Sequence, residues 1–119
     1  MMKILLADDD KNFGTVLKNE LEEERHVVDL VSDGVEAVLR FIKDAYDFVL
    51  LDIRMPKLSG IDALRIIKGI NPDVPAITFS GKAGDLEMGE SLRCGAIKCF
   101  RKPFEIAQLK NDIKSYVMK

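Results

Sequence analysis

The chain has 119 residues, 47% of them hydrophobic and 32% charged, with 20 acidic side chains against 18 basic ones for a net charge of −2. That length makes one domain the default and suffices for a self-standing core, and the composition is that of a globular rather than a disordered chain. A near-neutral balance argues against nonspecific nucleic-acid binding, which needs a basic surface, and no apolar run approaches membrane length.

The start, "MMKILL", lacks the long apolar segment of a secretory leader and runs into "KILLA", a short aliphatic run of the kind a buried strand shows. It ends in Asp8, Asp9 and Asp10. Three like charges in a row repel, so a cation or an opposite charge elsewhere must balance them. From Asn12 to Glu24, Phe13, Val16, Leu17 and Leu21 recur at helical spacing. "HVVDLV" returns to a strand pattern. Asp33 followed by Glu36 resembles a capping box, opening a helix that carries Val35, Val38, Leu39 and Ile42. "DFVLLD" is the most strand-like piece and closes on Asp52. "MPKLSG" is a loop, and Ser59 can cap a helix bearing Leu64, Ile67 and Ile70.

"NPDVP" breaks that helix, and "AITFS" is a fourth strand. Asp85 to Arg93 is helical but weakly amphipathic, with only Leu86, Met88 and Leu92 large and apolar. "GAIKCF" is a fifth strand. After "KPF", Ile106, Leu109, Ile113, Tyr116 and Val117 line the last helix. Five strands alternating with five helices predict a parallel sheet covered on both faces, with right-handed crossovers. Cys94 and Cys99 form neither a CxxC pair nor a disulfide framework, which points to a reducing, cytoplasmic setting and ordinary packing.

In open parallel sheets, sites form at the carboxyl ends of the strands. The first strand delivers Asp8, Asp9 and Asp10 there, the third Asp52, the fourth Ser80 and Gly81, and the fifth Lys102 and Pro103. The second ends in "VSDG", a plain helix cap.

This ordered set resembles the receiver domain of two-component response regulators, the CheY-like family, over essentially the whole chain. The motifs are the acidic pair Asp8 and Asp9, the acceptor position Asp52 in "LLDIRMP", Gly60 in the loop that follows, Ser80 with Gly81, and Lys102 with Pro103. The resemblance implies a (βα)5 flavodoxin-like, doubly wound α/β fold with a five-stranded parallel sheet in the order 2-1-3-4-5, and a single receiver domain over residues 1–119 with no output domain. It implies a phosphorylation switch rather than an enzyme acting on other substrates. Asp52 is then the nucleophile that becomes an aspartyl phosphate. Mg²⁺ is bound by Asp9, Asp52 and the backbone carbonyl of Arg54, with Asp8 acting through water. Lys102 and Ser80 meet phosphoryl oxygens, Gly81 allows close approach of the backbone, and the Lys102–Pro103 bond is a cis candidate. The implied partners are a sensor histidine kinase or phosphotransfer protein and a downstream partner or output domain. No direct nucleic-acid binding and no membrane contact are expected.

The roles make physical sense. Carboxylates about 5 Å apart repel by roughly 3 kcal/mol at an effective dielectric of 20, and a hard divalent cation removes that penalty. Asp10 instead stands where a helix begins, so it reads as an N-cap or first-turn residue. His26, at a strand start, reads as an exposed or edge histidine and not as a phosphodonor.

Two positions depart from the family pattern. Ser80 replaces the more usual threonine. Cys99 stands where an aromatic ring usually swings inward on activation. Phe100 is adjacent but should face the opposite side of the sheet, which leaves the usual hydroxyl–aromatic coupling without its ring. The weakly amphipathic fourth helix is the element expected to shift, within a face formed by that helix, the fifth strand and the last helix. A haloacid-dehalogenase-type phosphohydrolase is the competing enzyme reading. Asp8 and Asp10 fit its Asp-x-Asp-x-Thr pattern, but Asn12 takes the Thr place and Asp52 goes unexplained. A degenerate receiver that only binds partners is the third reading.

Overall fold

The computed structural model describes residues 1–82 and 84–117. Among them the chain runs β1 (Lys3–Ala7), α1 (Lys11–Glu23), β2 (Val27–Val31), α2 (Gly34–Lys43), β3 (Phe48–Asp52), α3 (Gly60–Ile70), β4 (Ala76–Ser80), α4 (Asp85–Arg93), β5 (Lys98–Arg101) and α5 (Ile106–Val117). The strands form one parallel sheet in the order β2-β1-β3-β4-β5, the flavodoxin-like arrangement. Ends differ from the sequence reading by a residue or two, except that β5 begins at Lys98 and not at Gly95.

Period-two alternation builds two apolar layers. Ile4, Leu6, Phe48, Leu50, Ile77, Phe79 and Phe100 face α1 and α5, where they meet Leu17, Leu21, Leu109 and Ile113. Leu5, Ala7, Val49, Leu51 and Ala76 face α2 and α3, against Ala37, Phe41, Leu64 and Ile67. Every residue of β3 and β4 is buried. This two-sided cover is why these strands read as unbroken apolar runs. The side chain of Val117 lies outside the described set.

The starts of α1, α2 and α3 are set by side-chain caps. Asp10 accepts from the Phe13 N–H at 3.2 Å, Asp33 from the Glu36 N–H at 2.8 Å, and Ser59 from the Asp62 N–H at 3.2 Å. Glu36 reaches back to the N–H of Ser32 and not to that of Asp33, one residue earlier than a standard capping box.

Several apolar helix residues expected to turn inward do not. Val16 on α1, Val35, Leu39 and Ile42 on α2, Ile70 on α3, and Leu86 and Leu92 on α4 are all exposed. On α2 the buried positions are Gly34, Ala37 and Phe41. The cause is close approach: a Cβ at Gly34 would stand 2.0 Å from the Leu58 carbonyl oxygen. A helix brought that near its neighbours buries Gly34 and Ala37 together with the Phe41 ring and turns Val35, Leu39 and Ile42 outward.

The fourth helix is stranger still, because the residue it buries is Ser91. The Ser91 hydroxyl donates to the Met88 carbonyl at 2.9 Å, so its oxygen accepts from the buried Thr78 hydroxyl at 2.8 Å. Its outer contacts are ionic: Arg54 with Glu87, Arg65 with Glu90, and Arg101 with Asp85. Exposed pairs of this kind contribute little each, so the hydroxyl contact at the sheet and the packing of Met88 on Ile53 and Ile61 carry much of the docking. Replacing Ser91 by alanine should cost about 1–3 kcal/mol, the penalty of stranding a buried hydroxyl, read as a lower urea midpoint. Thr78→Val, which leaves Ser91 bonded to Met88, should cost less.

Candidate functional site

The alternation that builds the core also aims the polar side chains at the strand ends. Asp8 continues the Ile4–Leu6 face of β1, Asp52 the Phe48–Leu50 face of β3, and Lys102 the Phe100 face of β5. All three therefore lie on the α1/α5 side of the sheet. Ser80 alternates with Phe79 and lies on the other side, in line with Thr78.

Asp8 is 1% exposed and Asp52 5% exposed, while Asp9 is open to solvent. One carboxylate oxygen from each lies within 4.8 Å of the others. The Lys102 ammonium donates to Asp8 at 2.9 Å and to Asp52 at 3.4 Å. Asp8 also accepts from the Asp10 N–H at 2.9 Å, and Asp52 from the Arg54 N–H at 3.2 Å. Asp10 spends its carboxylate on the α1 cap and stays outside the acidic cluster. The three adjacent aspartates thus divide into a buried one, an open one and a helix cap.

Burial is the largest influence on Asp52 and, with the neighbouring Asp8 charge, pushes its carboxyl up to about 7. Lys102 and the Arg54 N–H oppose that rise without cancelling it. For Lys102, burial alone would disfavour the ammonium, but Asp8 and Asp52 outweigh it and raise the lysine above its ordinary value. The three carboxylates bring more negative charge than the Lys102 ammonium offsets. Three hard carboxylate oxygens at this spacing suit a small divalent cation that prefers oxygen, so the donor set fits Mg²⁺.

The remaining wall is loop. Arg54 is exposed, with its guanidinium turned to Glu87 on α4. Gly60 sits where the chain returns beneath Asp52: its N–H donates to the Ile53 carbonyl at 2.7 Å, and a Cβ there would lie 1.9 Å from the Asp52 carbonyl oxygen. Nothing in the periodicity reveals that demand. Gly81 is less constrained, since a Cβ would meet only the Lys102 side chain, at 3.6 Å. Chain packing tolerates a side chain there, and the open space lies toward the pocket. Ser80 is 1% exposed, and its oxygen accepts from the Lys82 N–H at 3.1 Å. The Lys102–Pro103 peptide is cis. An open pocket of about 940 Å³ at these strand ends is lined by Asp9, Asp52, Arg54, Ser80, Gly81 and Lys102, among others.

Cys99 packs with Ile53, Ile61 and Met88 on the α3/α4 side, whereas Phe100 belongs to the α1/α5 layer. The neighbouring ring therefore does not stand in for the missing one. His26 is half-buried and accepts from the Met2 N–H at 3.2 Å. Burial and the nearby chain amine lower its pKa. It lies at the opposite end of β1 and β2 from the carboxylates. Two residues close to the chemistry escaped the sequence reading. Phe13 and Phe79 were legible only as core, yet both rings face the Lys102 ammonium. Strand parity would have placed Phe79 there, because it pairs with Asp52 across the sheet.

Among the described residues no helix is long and apolar enough to cross a membrane. The chain is 36% identical over 115 residues to the transcriptional regulatory protein CpxR homolog of Haemophilus influenzae, covering 97% of this chain and 50% of that protein. It thus spans about half the length of the curated relatives it matches. The Francisella response regulator 1452 receiver domain superposes over the whole of both chains with a TM-score of 0.87 and 31% identity. A CheY-like receiver domain protein from Methanospirillum hungatei does so over 98% of this chain and 93% of its own, with a TM-score of 0.93 and 26% identity. The family model for the response regulator receiver domain matches residues 4–114, and with the sheet order and the strand-end aspartates in place the chain belongs to that family.

Proposed function

We propose that the chain is a phosphorylation switch whose acceptor is Asp52. A buried carboxylate, crowded by two others and reached by one lysine, supports this reading best. An Asp52 oxygen attacks the phosphorus of a phosphohistidine on a sensor histidine kinase or phosphotransfer protein. The phosphorus–nitrogen bond breaks, the imidazole leaves, and an aspartyl phosphate remains. Lys102 turns from its two carboxylates to a phosphoryl oxygen, and Ser80 offers its hydroxyl to another. Asp9, Asp52 and the Arg54 carbonyl would hold Mg²⁺, with Asp8 acting through water. When bound, that ion supplies neutralisation of phosphoryl charge.

The signal then passes to α4, β5 and α5, and from there to a partner or an output domain. The long relatives that this chain half-covers support the output-domain form. Such a switch requires only differential affinity between two states of one fold. α4 is suited to shift, because it docks through a hydroxyl pair, surface ions and the small apolar contact of Met88 with Ile53 and Ile61, and not through a broad apolar face. The phosphohydrolase reading is weakened by Asp10, which caps α1 and leaves the Asp-x-Asp pair without its second member.

Acetyl phosphate with excess Mg²⁺ should add one phosphoryl group to the intact mass of the parent and none to Asp52→Asn. Labelling that survives the substitution would place the acceptor elsewhere.

A further inference from the structure

Lys102 is held from beneath as well as from the front. Its ammonium lies 4.3 Å from the Phe13 ring centroid and 5.2 Å from that of Phe79. The two rings stand 5.8 Å apart, and Phe104 closes the group at 5.5 Å from Phe13 and 6.0 Å from Phe79. Phe104 in turn stacks on Phe100 at 4.9 Å. Aliphatic side chains would fill this apolar space, but only a ring face attracts an ammonium electrostatically.

The seat is tied to the acidic cluster through the backbone. Phe13 is the residue whose N–H Asp10 caps, and the N–H of Asp10 is in turn held by Asp8. One short segment therefore fixes both a carboxylate in front of the ammonium and a ring below it. A lysine on a flexible four-carbon stem needs such a restraint to present its charge at one height.

We propose that Phe13, with Phe79, is a positioning residue for Lys102: the two ring faces hold the ammonium where it meets a phosphoryl group arriving at Asp52. The proposal rests on the phosphorylation reading above. It also assigns a purpose to the aromatic cluster on the α1/α5 side, opposite the side on which Cys99 replaces a ring.

The test replaces Phe13 in the full chain by phenylalanines carrying one, two and three ring fluorines. These keep the shape while draining the negative ring face. With acetyl phosphate and excess Mg²⁺, the rate of phosphoryl incorporation should fall stepwise along the series, reaching roughly three- to tenfold below the parent. The urea midpoint should stay constant. Phe13→Leu should match the slowest member, and Phe13→Tyr should restore most of the rate. In the unphosphorylated protein the Lys102 ε-methylene protons should resonate upfield, lose that shift in Phe13→Leu and regain it in Phe13→Tyr. A rate that is flat across the fluorinated series, or a Lys102 signal indifferent to Phe13→Leu, overturns the proposal. A parent that shows the upfield signal yet takes no label overturns the phosphorylation reading itself, and with it the role of the seat.

Discussion

Asp52→Asn should make the metal-free protein more stable at pH 8, by about 2 kcal/mol or more. Asp52 titrates near 7 in the folded chain, raised by burial and by Asp8. An unfolded aspartate titrates about three units lower. Between those two values the folded state holds a proton that the unfolded state has released. The Asp52 contribution to stability is therefore complete below about pH 4, declines as pH rises toward 7, and is flat above it. Three full units would give about 4 kcal/mol; partial solvent screening at the open pocket mouth reduces that. Asparagine carries no charge to release, so the variant should lack this decline and match the parent near pH 4. Lys102 is not stranded by the change, because Asp8 still accepts from it at 2.9 Å.

Mg²⁺ should reverse the order. With excess Mg²⁺ at pH 8 the parent should gain stability, because a ligand bound only to the folded state stabilises it by mass action, and the variant should gain much less. Urea midpoints across pH 4 to 8, with chelator or with Mg²⁺, read all four arms. Parallel pH curves for parent and variant in chelator would show that the three carboxylates do not strain one another. Other titrating groups, such as the depressed His26, are common to both proteins and cancel in the comparison.

Gly60→Ala should be strongly destabilising. Its Cβ would stand 1.9 Å from the Asp52 carbonyl oxygen, 2.7 Å from the Asp52 carbonyl carbon and 2.8 Å from the Ile53 Cα. All three obstacles are backbone and cannot rotate aside. Relief demands that the loop after β3 move, which breaks the Gly60 N–H bond to Ile53 and tilts Asp52. A loss of about 3 kcal/mol or more is expected, in the range of severe overpacking and strain. Gly69→Ala is the control. It lies inside the same helix with nothing within 4 Å of the added carbon, so alanine should stabilise by about 0.5–1 kcal/mol through propensity alone. Equal midpoints for the two variants would refute the close approach.

These contrasts show where the sequence was legible. Strand ends were readable because each apolar run stops at a polar group, as "FVLLD" does at Asp52, and because a buried parallel sheet gives that pattern no other interpretation. The caps at Asp10, Asp33 and Ser59 were readable because capping is local chemistry. The inner face of α2 was not. Val35, Leu39 and Ile42 share an apolar arc with Ala37 and Phe41, and periodicity cannot say which part of a wide arc meets the sheet. Closeness to the Leu58 carbonyl decided it, and that is a tertiary fact. Ser91 was passed over for the opposite reason: nothing marks a hydroxyl as buried until its partner on another element, Thr78, is known. The seat beneath Lys102 lay hidden among residues that any core would use.

The pairing of Lys102 with Asp8 spans 94 positions of sequence, and that with Asp52 spans 50. During synthesis, Asp8, Asp9 and Asp52 emerge long before the ammonium that offsets them. Closing loops of that length costs entropy that local contacts do not offset. A chain stopped short of β5 carries Asp52, Asp8 and Asp9 without the lysine that pairs with two of them. The order of translation therefore separates supplying the carboxylates from supplying the charge that offsets them.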